Sequence, residues 1–168
     1  NYKPIFQAQT LNNIGFVYLS INKFKEAGEI FAEGLKINNL KESQPIFYAS
    51  LLDNYAYSRF KINNKEGLNN FETALKVRDD INDVYGKINS RIHLTEYYLS
   101  KKDTVKALKF NKEANLLAKE SNYNKEVLIT LDFFTRLIPE KGLQYAKAYI
   151  KLNDSLQNQE RATRNKLA

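Results

Sequence analysis

Apolar stripes broken by short polar turns recur along this chain at a fixed interval. In NKFKEAGEIFAEGLKI, Ala27, Phe31 and Gly34 stand in the order small–x3–large–x2–small. Forty residues later Gly67, Phe71 and Ala74 repeat it in NNKEGLNNFETALKV. After forty more come Ala107, Asn111 and Ala114 in KDTVKALKFNKEANLL. A fourth copy, Gly142, Ala146 and Tyr149, follows after only 35. Upstream of each signature lies a second set: Leu11, Ile14, Gly15, Tyr18; then Leu52, Tyr55, Ala56, Arg59; then Arg91, Leu94, Thr95, Tyr98; then Leu131, Phe134, Thr135, Ile138. Spacings of 3, 4 and 7 put each set on one helical face. Each unit is therefore expected to be a pair of antiparallel helices, with small residues where the backbones cross.

The pattern predicts eight helices, roughly 4–20, 23–37, 44–61, 64–77, 81–100, 104–120, 123–137 and 139–166. Pro4, Pro45 and Pro139 sit at predicted starts, where the missing N–H costs nothing. Ser43, Asn63 and Asp103 are candidate N-caps. The turns INK, INNK and SKKD are short and polar, as antiparallel neighbours require.

The order L-x2-I-G-x2-Y followed by A-x3-F resembles the tetratricopeptide repeat, whose consensus is W-x2-L-G-x2-Y…A-x3-F…P. The first unit carries the closest match. The Trp position holds Leu11, Leu52, Arg91 and Leu131, and the terminal Pro is missing from every unit. The resemblance implies an all-α, right-handed α-α superhelix of about four helix-turn-helix repeats of ~40 residues with an extended C-terminal helix. It divides one domain, 1–168, into repeats at approximately 4–41, 42–80, 81–121 and 122–156, with 157–168 as a connector helix. A period near 40 implies longer helices, a variant found in bacterial regulatory proteins of the family.

Composition changes this picture little. At 168 residues with 43% hydrophobic content the chain can bury a core, and it has no apolar run of membrane-spanning length. Without cysteine it forms no disulfide or thiolate metal site. Lacking both methionine and a signal-type segment, it reads as a processed or excised piece. The net charge of +7 raises a nucleic-acid reading, which ranks low because lysines and acids interleave; Lys101, Lys102, Lys106, Lys109 and Lys112 are broken by Asp103 and followed by Glu113.

No catalytic constellation is present, and neither enzyme activity nor a cofactor is expected. His93, the single histidine, has no Ser or Cys nucleophile at a motif spacing and no second histidine for a metal site. No phosphate-binding glycine loop occurs. Asp79 and Asp80 sit at a predicted helix boundary, where their charge favours the following N-terminus. The aromatic residues fall mostly on inward stripes.

What the resemblance implies instead is a concave groove, lined by the first helix of each pair, that takes a protein or peptide ligand. Asn13, Asn54 and His93 occupy one position in three successive units, and side-chain amides there could hold an extended backbone. Phe16, Tyr57 and Glu96 form another row, with Asn12, Asp53 and Ile92 beside them. The family variant that clamps a partner's C-terminal carboxylate uses Lys and Arg. Asn12, Asn89 and His93 stand at those places here and Phe16 replaces the first-unit Asn, so only Asn54 fits.

YIKLNDSLQNQERATRNK resembles the junction of bacterial proteins that carry periplasmic repeats ahead of a membrane span and an output domain. A sensory or regulatory module on the periplasmic face of a membrane-anchored protein is the expected function. A stand-alone scaffold, periplasmic or cytoplasmic, is the alternative. The seam Tyr145, Tyr149, Leu152 and Leu156 is expected to pack on the preceding helix as far as Leu156, although it also suits a parallel dimer coil; it then fades at Gln159 and Thr163, and only Leu167 returns. This leaves the oligomeric state open and makes the polar remainder a connector, with no membrane contact inside the segment.

Overall fold

The computed structural model describes residues 3–63 and 67–167. Among them are nine α-helices and no strand: α1 (Lys3–Ser20), α2 (Phe24–Gly34), α3 (Leu40–Ser43), α4 (Pro45–Ile62), α5 (Leu68–Asp80), α6 (Val84–Ser100), α7 (Thr104–Glu120), α8 (Asn124–Leu137) and α9 (Gly142–Leu167), with one 3-10 turn at Pro139–Lys141.

Helices pair as α1/α2, α4/α5, α6/α7 and α8/α9, and the second of each pair packs on the first of the next. First helices also touch one another, α1 on α4, α4 on α6 and α6 on α8. Side-chain bonds from Asp53 to Ser90 and from Tyr57 to Glu96 show that α4 and α6 run parallel. The core is accordingly strung along the stack in three clusters. Ala8, Ala27, Phe31, Leu40 and Leu51 form the first. Ala56, Phe60, Phe71, Leu94, Tyr97, Tyr98 and Ala107 form the second. Ile88, Ile92, Ala114, Ala118, Val127, Leu131, Phe133 and Phe134 form the third.

The three signatures spaced by forty are buried at every described position except Gly67, which is half-buried. Small residues mark the crossings. A Cβ on Gly15 would collide with the ring of Phe31, and one on Gly34 would come 2.8 Å from Leu51. In the third unit Asn111 takes the place of the phenylalanines and donates to the carbonyl of Thr130 at 3.0 Å. The fourth copy differs: Gly142 and Ala146 are half-buried and Tyr149 is exposed. Its shorter spacing follows from α8, which has 14 residues where α6 has 17.

Four turns are built alike. Asn22, Asn82, Lys102 and Asn122 each adopt φ between 53° and 60°. At each, the next residue's N–H reaches back to the carbonyl five residues earlier, as from Lys23 to Tyr18 and from Asp103 to Tyr98. This is the Schellman closure, and asparagine tolerates its left-handed residue best after glycine. The asparagine richness of the turns therefore has a backbone cause.

Several expected boundaries shift. Ser43 does not cap α4; it ends α3, with its hydroxyl donating to Asn39 O at 2.6 Å, and Gln44 is the residue before Pro45. The extra helix α3 exists because buried Leu40 pins one turn to the first cluster. Asn63 is the C-cap of α4 rather than an N-cap, and Gly67 stands at the N-cap of α5. The expected start of that helix at 64, like the side chain of Leu167, lies outside the described residues. Asp103 does cap α7, accepting from Lys106 N at 3.0 Å, and Asp83 caps α6 in the same way. Asp79 and Asp80 end α5 instead of preceding α6 directly.

Gly67 has φ 100°, and a Cβ there would lie 2.8 Å from the backbone oxygen of Ala56. Gly67→Ala is expected to cost about 1–3 kcal/mol from backbone strain alone. Gly142→Ala, with only an ordinary contact to Thr135 O at 3.4 Å, should leave stability unchanged or slightly raised. Thermal denaturation of the two variants followed by far-UV circular dichroism checks the contrast.

Candidate functional site

The exposed sides of the parallel helices α1, α4 and α6 form a surface whose middle rests on buried charge. Ala49, Asp53 and Ala56 share one stripe of α4, and Phe71, Ala74 and Arg78 share one stripe of α5. Both charged side chains are thereby carried inside. Arg78 Nη1 donates to Asp53 Oδ2 at 3.0 Å, to Gly86 O at 2.9 Å and to Ser90 Oγ at 2.6 Å. Ser90 Oγ donates in turn to Asp53 Oδ1 at 3.1 Å, and His93 Nδ1 lies 2.9 Å from Asp53 Oδ2. Asp53 is fully buried, so it is not a groove-facing residue as its place beside Asn12 suggested. Burial would raise its pKa, but the Arg78 guanidinium, His93 and the hydrogen bonds outweigh it and hold the carboxyl at about 2.

Above this pair the predicted residues Tyr57, His93 and Glu96 come together. The Tyr57 ring stacks on His93 with centroids 4.4 Å apart. Its hydroxyl donates to Glu96 Oε2 at 3.0 Å, and burial together with the Glu96 charge pushes the phenol well above its ordinary pKa. Lys61 Nζ donates to Glu96 Oε1 at 3.0 Å while lying over the rings of Tyr57 and Phe24. A shallow depression beside them is lined by Phe60, Lys61, Glu96, Leu99, Ser100 and Arg136.

The remaining predicted residues are less closely joined. Asn54 Nδ2 donates to Asn12 Oδ1 at 3.0 Å, so the amide pair forms with Asn12 and not with Asn13. Asn13 and Phe16 are exposed on α1. Asn89 lies toward the start of α6 and hydrogen-bonds Tyr85, whose hydroxyl is raised in pKa chiefly by burial. His93 belongs to a buried carboxylate's shell, which breaks the proposed Asn13/Asn54/His93 ladder at its third rung.

Arg78, Ser90 and Lys61 were not singled out from the sequence. The signal for Arg78 was its spacing of 7 from Phe71 and 4 from Ala74 on an otherwise apolar stripe. A cation on such a stripe needs a buried anion, and Asp53 was the complementary case. Arg91, at the Leu11/Leu52 position, is similarly accounted for: it spans α5, α6 and α7 by pairing with Asp79 at 3.7 Å and Glu113 at 3.0 Å.

The depressed Asp53 pKa fixes the sign of an acid effect. Its ionised form favours the folded state fully above about pH 4, and that contribution is lost as pH falls through about 2. The shift corresponds to about 2 kcal/mol. Urea unfolding between those limits should show this loss in the parent chain but not in a D53L/R78M variant. Asp53→Asn alone should cost about 3–5 kcal/mol, because it leaves Arg78 buried without its anion.

No family model matches the chain, and no curated protein sequence matches it.

Proposed function

We propose that this chain is a non-catalytic tetratricopeptide-type superhelix whose groove holds an extended protein or peptide segment. The parallel stacking of the first helices carries this reading. It sets Asn12 and Asn54 beside one another, then Tyr57, His93 and Glu96, along one face of successive helices. An extended segment repeats its amides about every 3.3 Å, and such a face offers it amides, an aromatic edge and one carboxylate in sequence. Exposed Phe16 adds apolar contact at the α1 end.

In this reading the module is the sensory or regulatory region of a larger bacterial signal-transduction protein, set on the periplasmic face of a membrane. Among the described residues no helix is long and apolar enough to cross a membrane. The conformational signal leaves through α9, whose side chains from Gln157 to Lys166 are all exposed. Ligand binding must favour one curvature of the stack over another for that helix to respond.

Peptides selected from a displayed random library against the parent chain supply the test. Asn54→Ala with Phe16→Ala should weaken the selected peptides about tenfold or more, a loss of at least about 1.4 kcal/mol. The melting temperature should barely change, since Asn54 makes one half-buried amide bond and Phe16 is exposed. Undiminished binding by the double variant would sink the groove assignment.

A further inference from the structure

The repeat makes it possible to ask what each helix face would touch if the stack continued. Thr10, Leu51, Ser90 and Thr130 hold one position in the four first helices. The last three are fully buried, and each is covered by the second helix of the unit before it. Leu51 lies against Gly34, Ser90 receives Arg78, and Thr130 receives Asn111 and Asn115. Two turns along, seven residues on, Ser58 meets Gly28 and Tyr97 meets the ring of Phe71. Their equivalent on α1 is Val17, 59% exposed, flanked by Ile14 at 41% and exposed Thr10. The docking face of a first helix is thus present on α1 and bare.

The opposite end offers the complementary face. On second helices, docking toward the next unit uses Gly28 and Gly34 of α2, Phe71 and Arg78 of α5, and Asn111 and Asn115 of α7. On α9 the same frame falls on Leu143, Ala146, Tyr149, Ile150 and Asn153, with Tyr149 at the place of Gly34. Leu143 is 72% and Ile150 57% exposed, although Tyr145 and Leu152 on the other side of the helix are packed, Tyr145 on Phe134 at 4.8 Å. So α9 has two apolar faces and uses one.

We infer that α9 of one copy docks on α1 of another, head to tail, reproducing between chains the contact that joins successive units within the chain. Charge favours this occupant over an acidic or basic partner. No charged residue occurs from Pro4 to Ser20, in a chain that is 27% charged overall, and Leu143, Ala146, Ile150 and Asn153 are uncharged too, with the oppositely charged Lys147 and Asp154 bordering them. The contact is heterologous, so it leaves one free end of each kind and does not close. The net charge of +7 opposes it at low ionic strength, and salt relieves that repulsion.

Sedimentation velocity over a range of concentrations tests the inference. The parent chain should grow past dimer as concentration rises, and more so at higher salt. Val17→Glu and Leu143→Glu should each be monomeric alone, with unchanged melting curves because both residues are exposed. Mixed in equal amounts, they should form a dimer that grows no further, since each keeps one intact face. A parent chain that stays monomeric overturns the inference. So does growth that stops at dimer and persists in Leu143→Glu, the signature of a symmetric α1–α1 contact, or a mixture that remains monomeric. Leu143→Glu lies on α9, away from Asn54 and Phe16, so with that variant peptide binding and self-association can fail separately.

Discussion

The buried pair of Arg78 and Asp53 decides how the middle of this stack is put together. Taking both charges out of water costs several kcal/mol per ion, and the return depends on geometry and on satisfying the other donors and acceptors. Here the supporting bonds come from three helices: Asp53 from α4, Arg78 from α5, and Gly86, Ser90 and His93 from α6. The cation also sits in the last turn of α5, where the helix dipole favours it. The network in turn restricts its neighbours. A Cβ on Gly86 would run into the Asp83 carboxylate and come 2.5 Å from Arg78 Nε, so the first turn of α6 must be bare at that point. The bonds from Arg78 and Asp53 to Gly86, Ser90 and His93 tie the rotation of α6 to α4 and α5.

That rotation sets which side chains meet on the surface above the pair. His93 is oriented by Asp53 from below and faced by the Tyr57 ring from the side. Tyr57 then fixes Glu96, and Lys61 closes the set. Each side chain is held by one that is more deeply buried, down to a carboxylate with no solvent exposure. A ligand meeting such a surface orders few rotamers on binding, which lowers the entropic cost that recognition must offset. At the α1 end the surface is looser: Asn13 and Phe16 are exposed, and the hydrogen bond between side-chain amides of α1 and α4 is that of Asn54 to Asn12.

Much of this was legible in the chain because a stack is a local object. The all-helical pairing followed from the spacing of Ala27, Phe31 and Gly34 and its copies, each of which reports on contacts within about forty residues. The Asp103 cap and the helix starts at Pro4 and Pro45 were legible for the same reason, whereas Pro139 opens a 3-10 turn ahead of α9. What escaped was of two kinds. Turn chemistry was read as polarity alone, so the left-handed asparagines and the Asp83 cap were overlooked, and the start of α6 moved from 81 to Val84. Polar residues on buried stripes were read one at a time. Asp53, 25 residues from Arg78, was placed in the groove because the repeat frame set it in one row with Asn12 and Ile92. Only the pairing of two rule-breaking charges explains either, and periodicity does not say which charges meet.

The basic surface follows from the same thin architecture. A stack of helix pairs has no deep centre, so large rings on its inward stripes keep an edge near solvent. Lysines lie over such rings: Lys41 on Tyr48, Lys61 on Phe24 and Tyr57, Lys101 on Tyr97, Lys106 on Tyr98 and Lys109 on Phe110, with ammonium nitrogens 5.0–5.9 Å from the ring centroids. Each such contact contributes roughly 0.5–1 kcal/mol at an exposed site, and the aliphatic stem shields apolar surface at the same time. Glutamate has neither the reach nor the sign to do this over an aromatic face. Three of the five lysines in the densest basic patch, Lys101, Lys106 and Lys109, are engaged in this way around α6 and α7. Five lysines of this +7 chain are thereby placed over aromatic faces that a narrow stack leaves near solvent.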